Sequence, residues 1–147
     1  MKPIVLPNDT ALSFIREQLQ NGNQVAFPVK GTSMRPFFQD GKTTVTLIKK
    51  NPPYKRFDVV LFEAHPGTMV LHRIVQAKPP LYFIQGDALK TIDQVKEEAI
   101  VGVVIHHETN HRIIQERSFW NQLFVRKWHF LRGLRYPLLG ILRRLGR

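Results

Sequence analysis

Between Val25 and Ile105 the chain breaks into six short runs rich in β-branched and aromatic residues: Val25–Val29, Thr43–Ile48, Asp58–Phe62, Met69–Val75, Leu81–Gln85 and Ile100–Ile105. Turn formers separate them, namely Asp40-Gly41, Asn51-Pro52-Pro53, His65-Pro66-Gly67, Pro79-Pro80 and Gly86-Asp87. Valine, isoleucine and threonine lose little on a pleated surface because their χ1 is already restricted. Glycine, proline and aspartate supply the φ values and local hydrogen bonds that turns need. The pattern predicts a mainly β, antiparallel domain from about residue 24 to residue 116.

Helical spacing is confined to the two ends. Asn8, Asp9 and Thr10 are N-cap residues, Leu12, Ile15 and Leu19 follow at helical spacing, and Asn21-Gly22 closes a short N-terminal helix. Near the other end Trp120, Leu123, Phe124, Trp128, Leu131 and Leu134 form an apolar stripe, with Arg126, Arg132 and Arg135 mostly off it. Pro137 should break that helix, and Leu138, Ile141, Leu142 and Leu145 could continue as a second amphipathic piece. A length of 147 residues with 43% hydrophobic composition supports one core and not two. The net charge is +11, and seven of those charges are the Lys and Arg of residues 118–147, where no Asp or Glu occurs. The composition thus divides the chain into a folded domain, residues 1–117, and a basic amphipathic helical tail, residues 118–147.

The absence of cysteine excludes disulfides, thiol catalysis and cysteine-ligated metals. The first ten residues lack the apolar stretch of a signal peptide, and no run of about 18 apolar residues could span a bilayer. The expected location is cytoplasmic or peripheral to a membrane.

Three segments could carry chemistry. In Gly31-Thr32-Ser33-Met34-Arg35-Pro36 a strand runs into glycine, a serine follows, and a proline fixes the exit. A nucleophilic serine needs an exposed hydroxyl on a rigid turn and a backbone N–H for the oxyanion, although the same residues also make ordinary turns. Leu71-His72-Arg73-Ile74 sets a histidine in an apolar, strand-like run. Imidazole titrates near neutrality, so His72 is a candidate general base; the bland alternative is a satisfied core histidine. In Gly86-Asp87-Ala88-Leu89-Lys90-Thr91-Ile92-Asp93 two carboxylates stand six residues apart, after the strand Leu81–Gln85. Either could orient an imidazole and stabilise it when protonated, or serve only as a turn residue and a solvated charge.

Taken in order, GTSMRPFF, DVVLF, LHRIV, QGDALKTID and IVGVV resemble the catalytic domain of signal peptidase I across about 75 residues. The versions with a histidine base, as in archaea, endospore formers and the endoplasmic reticulum, are the most similar. The resemblance implies Ser33 as nucleophile, His72 as general base, Asp93 as the orienting acid and Asp87 as a supporting carboxylate. It implies that the Ser33 N–H, with help from Thr32, holds the oxyanion. No cofactor and no metal are implied, and the substrate would be a precursor or exported peptide lying extended beside strand edges. Four features depart from the family pattern. Phe57-Asp58 stands where Gly-Asp is usual, and Ala88-Leu89 where Asn-Asn often follows the second Gly-Asp. Gly31 replaces a serine whose hydroxyl assists the oxyanion in many members, and a short polar helix after Asp9 replaces the membrane anchor.

Several rival readings stand beside this one. His107-Glu108-Thr109-Asn110-His111 matches the H-E-x-x-H pattern of zinc peptidases, which requires a helix. Here it follows a β-branched run, and Thr109-Asn110 favour a turn, so a β-hairpin returning through Arg112, Ile113 and Ile114 is expected instead. His65, His106 and His129 belong to no constellation. A self-cleaving repressor would need a lysine where His72 stands and a DNA-binding domain that the roughly thirty residues before Ser33 cannot house. A non-catalytic β domain that binds peptides or membranes is the remaining alternative. The tail suits an anionic membrane surface, or a helix packed on the β domain with a solvated basic face; nucleic acid would accept the charge, but no binding motif accompanies it.

Overall fold

The computed structural model describes residues 8–131 and 140–146. Helix α1 (Asn8–Gln20) is closed by Gly22, whose φ of +81° lets its N–H reach the Leu19 carbonyl at 3.1 Å while the Asn23 N–H reaches Gln18 at 3.0 Å. Eight strands follow: β1 (Val25–Pro28), β2 (Thr43–Ile48), β3 (Val59–His65), β4 (Thr68–Lys78), β5 (Leu81–Gln85), β6 (Ile92–Lys96), β7 (Ile100–Thr109) and β8 (Arg112–Gln115). Helix α2 (Phe119–Phe130) comes last, and residues 140–145 are also helical. Leu134, Arg132, Arg135, Pro137 and Leu138 lie outside the described residues. No helix among the described residues is long and apolar enough to cross a membrane.

The strands form one antiparallel sheet in the order β1-β2-β7-β3-β4-β5-β6, with β8 paired to the far half of β7. The protein is therefore mainly β, as the runs of β-branched residues require. Strand β3 sits near the middle with Val59, Val60, Leu61 and Phe62 all buried. Because side chains alternate along a strand, Val59 and Leu61 join one core with Leu19, Val45, Leu47 and Phe38, while Val60 and Phe62 join a second with Ile74, Tyr82, Ile84 and Val103. Leu19 and Ile15 bring α1 onto the first core.

All six expected strands form. Strand β6 is an addition: it is held by β5 in a register from Leu81↔Lys96 to Gln85↔Ile92, and Val95 is its only buried residue. An edge strand with one inward side chain leaves no alternation to read. The hairpin of β7 and β8 turns through Asn110 and His111, both at positive φ, as a two-residue turn with a right-handed twist demands.

Candidate active site

Ser33 lies in the loop between β1 and β2. The neck of that loop is closed by Val29 N–H to the Thr43 carbonyl at 2.9 Å and Gly41 N–H to the Val29 carbonyl at 2.8 Å. Met34 and Phe38 plug it into the first core, and the Phe37 and Phe38 N–H groups both turn back to the Met34 carbonyl. Ser33 is thus half-buried between two anchors. Gly31, at φ +88°, donates its N–H to Asp40 Oδ1 at 2.9 Å. A serine there would hold a left-handed backbone at a cost of about 1–2 kcal/mol, so this loop is not shaped for a side-chain oxyanion donor at position 31. The Ser33 N–H has no hydrogen-bond partner among the described residues, which leaves it free for that task.

His72 stands opposite Val60 in the β3–β4 ladder, is 8% exposed, and packs 6.2 Å from the Phe62 ring. Its Nε2 is 3.2 Å from Ser33 Oγ. Burial pushes the imidazole below its ordinary pKa, and the negative charges of Asp93 and Asp87 only partly oppose this. The ring is therefore neutral near pH 7, as a proton acceptor must be. When the serine hydroxyl donates to Nε2, the ring proton sits on Nδ1, and Nδ1 is buried without a partner among the described residues.

Arg73, the next residue, points to the opposite face and is fully buried. Its Nε donates to Asp87 Oδ1 at 2.9 Å, its Nη2 to Asp87 Oδ2 at 3.1 Å and its Nη1 to the Phe57 carbonyl at 3.0 Å. Asp87 accepts a second hydrogen bond at Oδ1 from His129 Nε2, 2.8 Å away, and its backbone carbonyl accepts from Trp128 Nε1 at 2.8 Å. Burial alone would raise the Asp87 carboxyl, but the Arg73 charge and the hydrogen bonds from His129 and Arg73 outweigh it and hold the group below its usual range. The following N–H, that of Ala88, donates to the Ser33 carbonyl at 2.9 Å. Asp87 is consequently a hub: it ties β4 and α2 to the peptide unit that carries the serine, and does not touch His72. Glu116 extends the network, with Oε2 3.7 Å from Arg73 Nη1 and Oε1 accepting from His107 Nδ1 at 2.5 Å.

Ser33, His72 and Asp87 are thus brought to one place, and Asp93 is not joined to them by a hydrogen bond. Asp93 is exposed on β6, opposite Ile84, and reaches His72 only through its charge. The segment His107-Glu108-Thr109-Asn110-His111 is the expected hairpin: His107 faces inward onto Glu116 while His111 occupies the exposed turn. His129 corrects the sequence reading, which gave it no role. The buried face of α2 is centred between Trp128 and Val125, and a stripe traced through large apolar residues passes over the histidine on its flank. Its signal was its position one residue after a buried tryptophan. Phe57 also acquires a meaning. It has φ +73° while its carbonyl serves Arg73, so a left-handed backbone is required where the resembling family usually has glycine. Arg56 and His129 flank its buried ring at 4.6 and 5.8 Å.

Neither protein-family models nor curated proteins give a match to this chain.

Proposed function

We propose that the chain is a serine endopeptidase of the signal-peptidase type that its motifs resemble. The observation that supports this best is the 3.2 Å approach of His72 Nε2 to Ser33 Oγ, from residues 39 apart in sequence on two different elements. In the forward step Ser33 Oγ bonds to the scissile carbonyl carbon while its proton passes to His72 Nε2. The imidazolium then gives that proton to the leaving amine as the C–N bond breaks, and water, deprotonated by the same ring, releases the acyl group. The Ser33 N–H is available to the developing oxyanion, beside the exposed Thr32. Asp87 positions the serine through Ala88, and Asp93 favours the imidazolium from a distance. An extended precursor or exported peptide would pair with the sheet edge at β1, the strand that leads into the Ser33 loop.

The test is cleavage of a peptide library, carrying small residues at varied positions, by the wild type, Ser33→Ala and His72→Ala. Each substitution should cost at least about 10³-fold in kcat/KM. Full activity in Ser33→Ala would remove the serine mechanism, and peptide binding without cleavage by the wild type would mark a binding module.

A further inference from the structure

Helix α2 is apolar on both sides. Its inner face places Val125, Trp128 and His129 on the β domain, and Phe124 meets the Phe37 ring edge-on at 5.5 Å. On the opposite side Phe119, Trp120 and Phe130 are 72, 76 and 87% exposed, with Arg126 and Lys127 among them. Residues 140–146 add exposed Ile141, Leu142 and Leu145 beside Arg143 and Arg144. Large aromatic side chains left in water on one helix face mark a surface that is covered in use. The charge selects what covers it. Residues 118–147 carry seven Lys and Arg and no acidic residue, so a second copy would bring like charge against like, whereas an anionic bilayer offers both a negative surface and an apolar interior.

We propose that the outer face of α2 seats the protein on an anionic lipid surface, with Phe119, Trp120 and Phe130 entering the headgroup boundary. The inner face of the same helix holds Asp87 and Phe37, and Asp87 in turn holds Ser33 through Ala88. The seated helix therefore carries the Ser33–His72 pair at the lipid surface; only the nature of the substrate met there, a membrane-associated peptide, rests on the peptidase reading.

The test is co-sedimentation with vesicles of zwitterionic lipid, with and without an added anionic lipid, using the wild type and the Ser33→Ala protein alike. Both should pellet with anionic vesicles and be released by salt. The triple variant Phe119→Ser/Trp120→Ser/Phe130→Ser, altered only at exposed positions and checked by thermal unfolding, should bind at least about 100-fold more weakly. Brominated lipid should quench Trp120, and Trp120→Phe should stay bound but lose that quenching, because Trp128, the other of the chain's two tryptophans, is buried. The proposal is overturned by equal binding of wild type and triple variant, or by Trp120 remaining open to aqueous quencher in the pelleted protein. A dimer that the triple variant dissolves, or nucleic acid bound through the same three residues, would overturn it equally. None of these readouts depends on cleavage, so a failed peptidase assay leaves the result standing.

Discussion

At Gly86 one added methyl group would press directly on the peptide that carries Ser33. A Cβ built on it would lie 2.8 Å from the Ser33 carbonyl oxygen and 2.9 Å from Leu89 Cδ1. Ordinary contact begins near 3.4 Å, so the Ser33 peptide or the 86–89 turn must give by roughly 0.6 Å. Gly86 does not occupy the left-handed region, and alanine is free to adopt its backbone; the clash is the only change. The displaced atom belongs to the peptide that Ala88 holds at 2.9 Å and that carries Ser33, the proposed nucleophile. Overpacking of this kind costs about 1–3 kcal/mol of stability, and a displacement of more than half an ångström at the reacting group costs about tenfold or more in kcat. Gly86→Ala should therefore lower kcat well beyond any change in KM, as read by steady-state kinetics on a cleaved peptide. Gly102→Ala is the control. Its Cβ would meet Leu19 Cδ1 at 3.0 Å and the Ile48 carbonyl at 3.2 Å, under α1, so it should lower the unfolding midpoint and leave kcat unchanged. Wild-type kcat in Gly86→Ala, or equal loss of kcat in both variants, would refute the claim that this turn positions the serine.

Two further perturbations separate positioning from catalysis. Asp93→Asn removes a charge that raises the His72 pKa, so the acid limb of the pH–rate profile should move to lower pH, with less than about tenfold loss at the plateau; a loss near 10⁴-fold would instead mean that Asp93 closes on Nδ1 during turnover. His129→Ala strips a donor from the buried Asp87 carboxylate and should cost about 1–3 kcal/mol in urea unfolding together with kcat, whereas His129→Gln, which offers an amide donor, should recover much of both.

Much of this arrangement was legible in the residues. The β runs marked by Val, Ile and Thr became strands because each has at least one buried face, and the hairpin expected around Thr109-Asn110 forms with its turn one residue later, at Asn110-His111, because Thr109 still pairs with Arg112. Ser33 and His72 stood out only through the order of the motifs around them, because a serine in a turn and a histidine in a strand each have an ordinary structural use. What remained hidden depended on partners distant in sequence. Strand β6 is polar and becomes a strand through pairing with β5, and the role of Asp87 is set by Arg73 and by a helix more than 40 residues further on. Periodicity also traced α2 as a tail, and it could not reveal that Trp128 and His129 dock beside the serine loop. Such contacts are fixed by packing, which no local pattern encodes.

The distribution of costs around the serine points the same way. A buried Arg–carboxylate cluster seldom stabilises a fold relative to well-packed apolar residues, since desolvating the charges offsets their attraction. Here Asp87, Arg73 and Glu116 are almost entirely buried together, and Phe57, whose strained φ costs on the order of 1–3 kcal/mol, accepts a hydrogen bond at its carbonyl from the same arginine. A domain selected for stability alone would fill that volume with leucine and put glycine at position 57. What the cluster does provide is direction: every hydrogen bond in it fixes an angle, and the chain of bonds from His129 through Asp87 and Ala88 ends on the Ser33 carbonyl. Buried charge and the strained backbone of Phe57 meet around Asp87, beside the loop that carries Ser33, and that is what a fold shows where geometry has been favoured over stability.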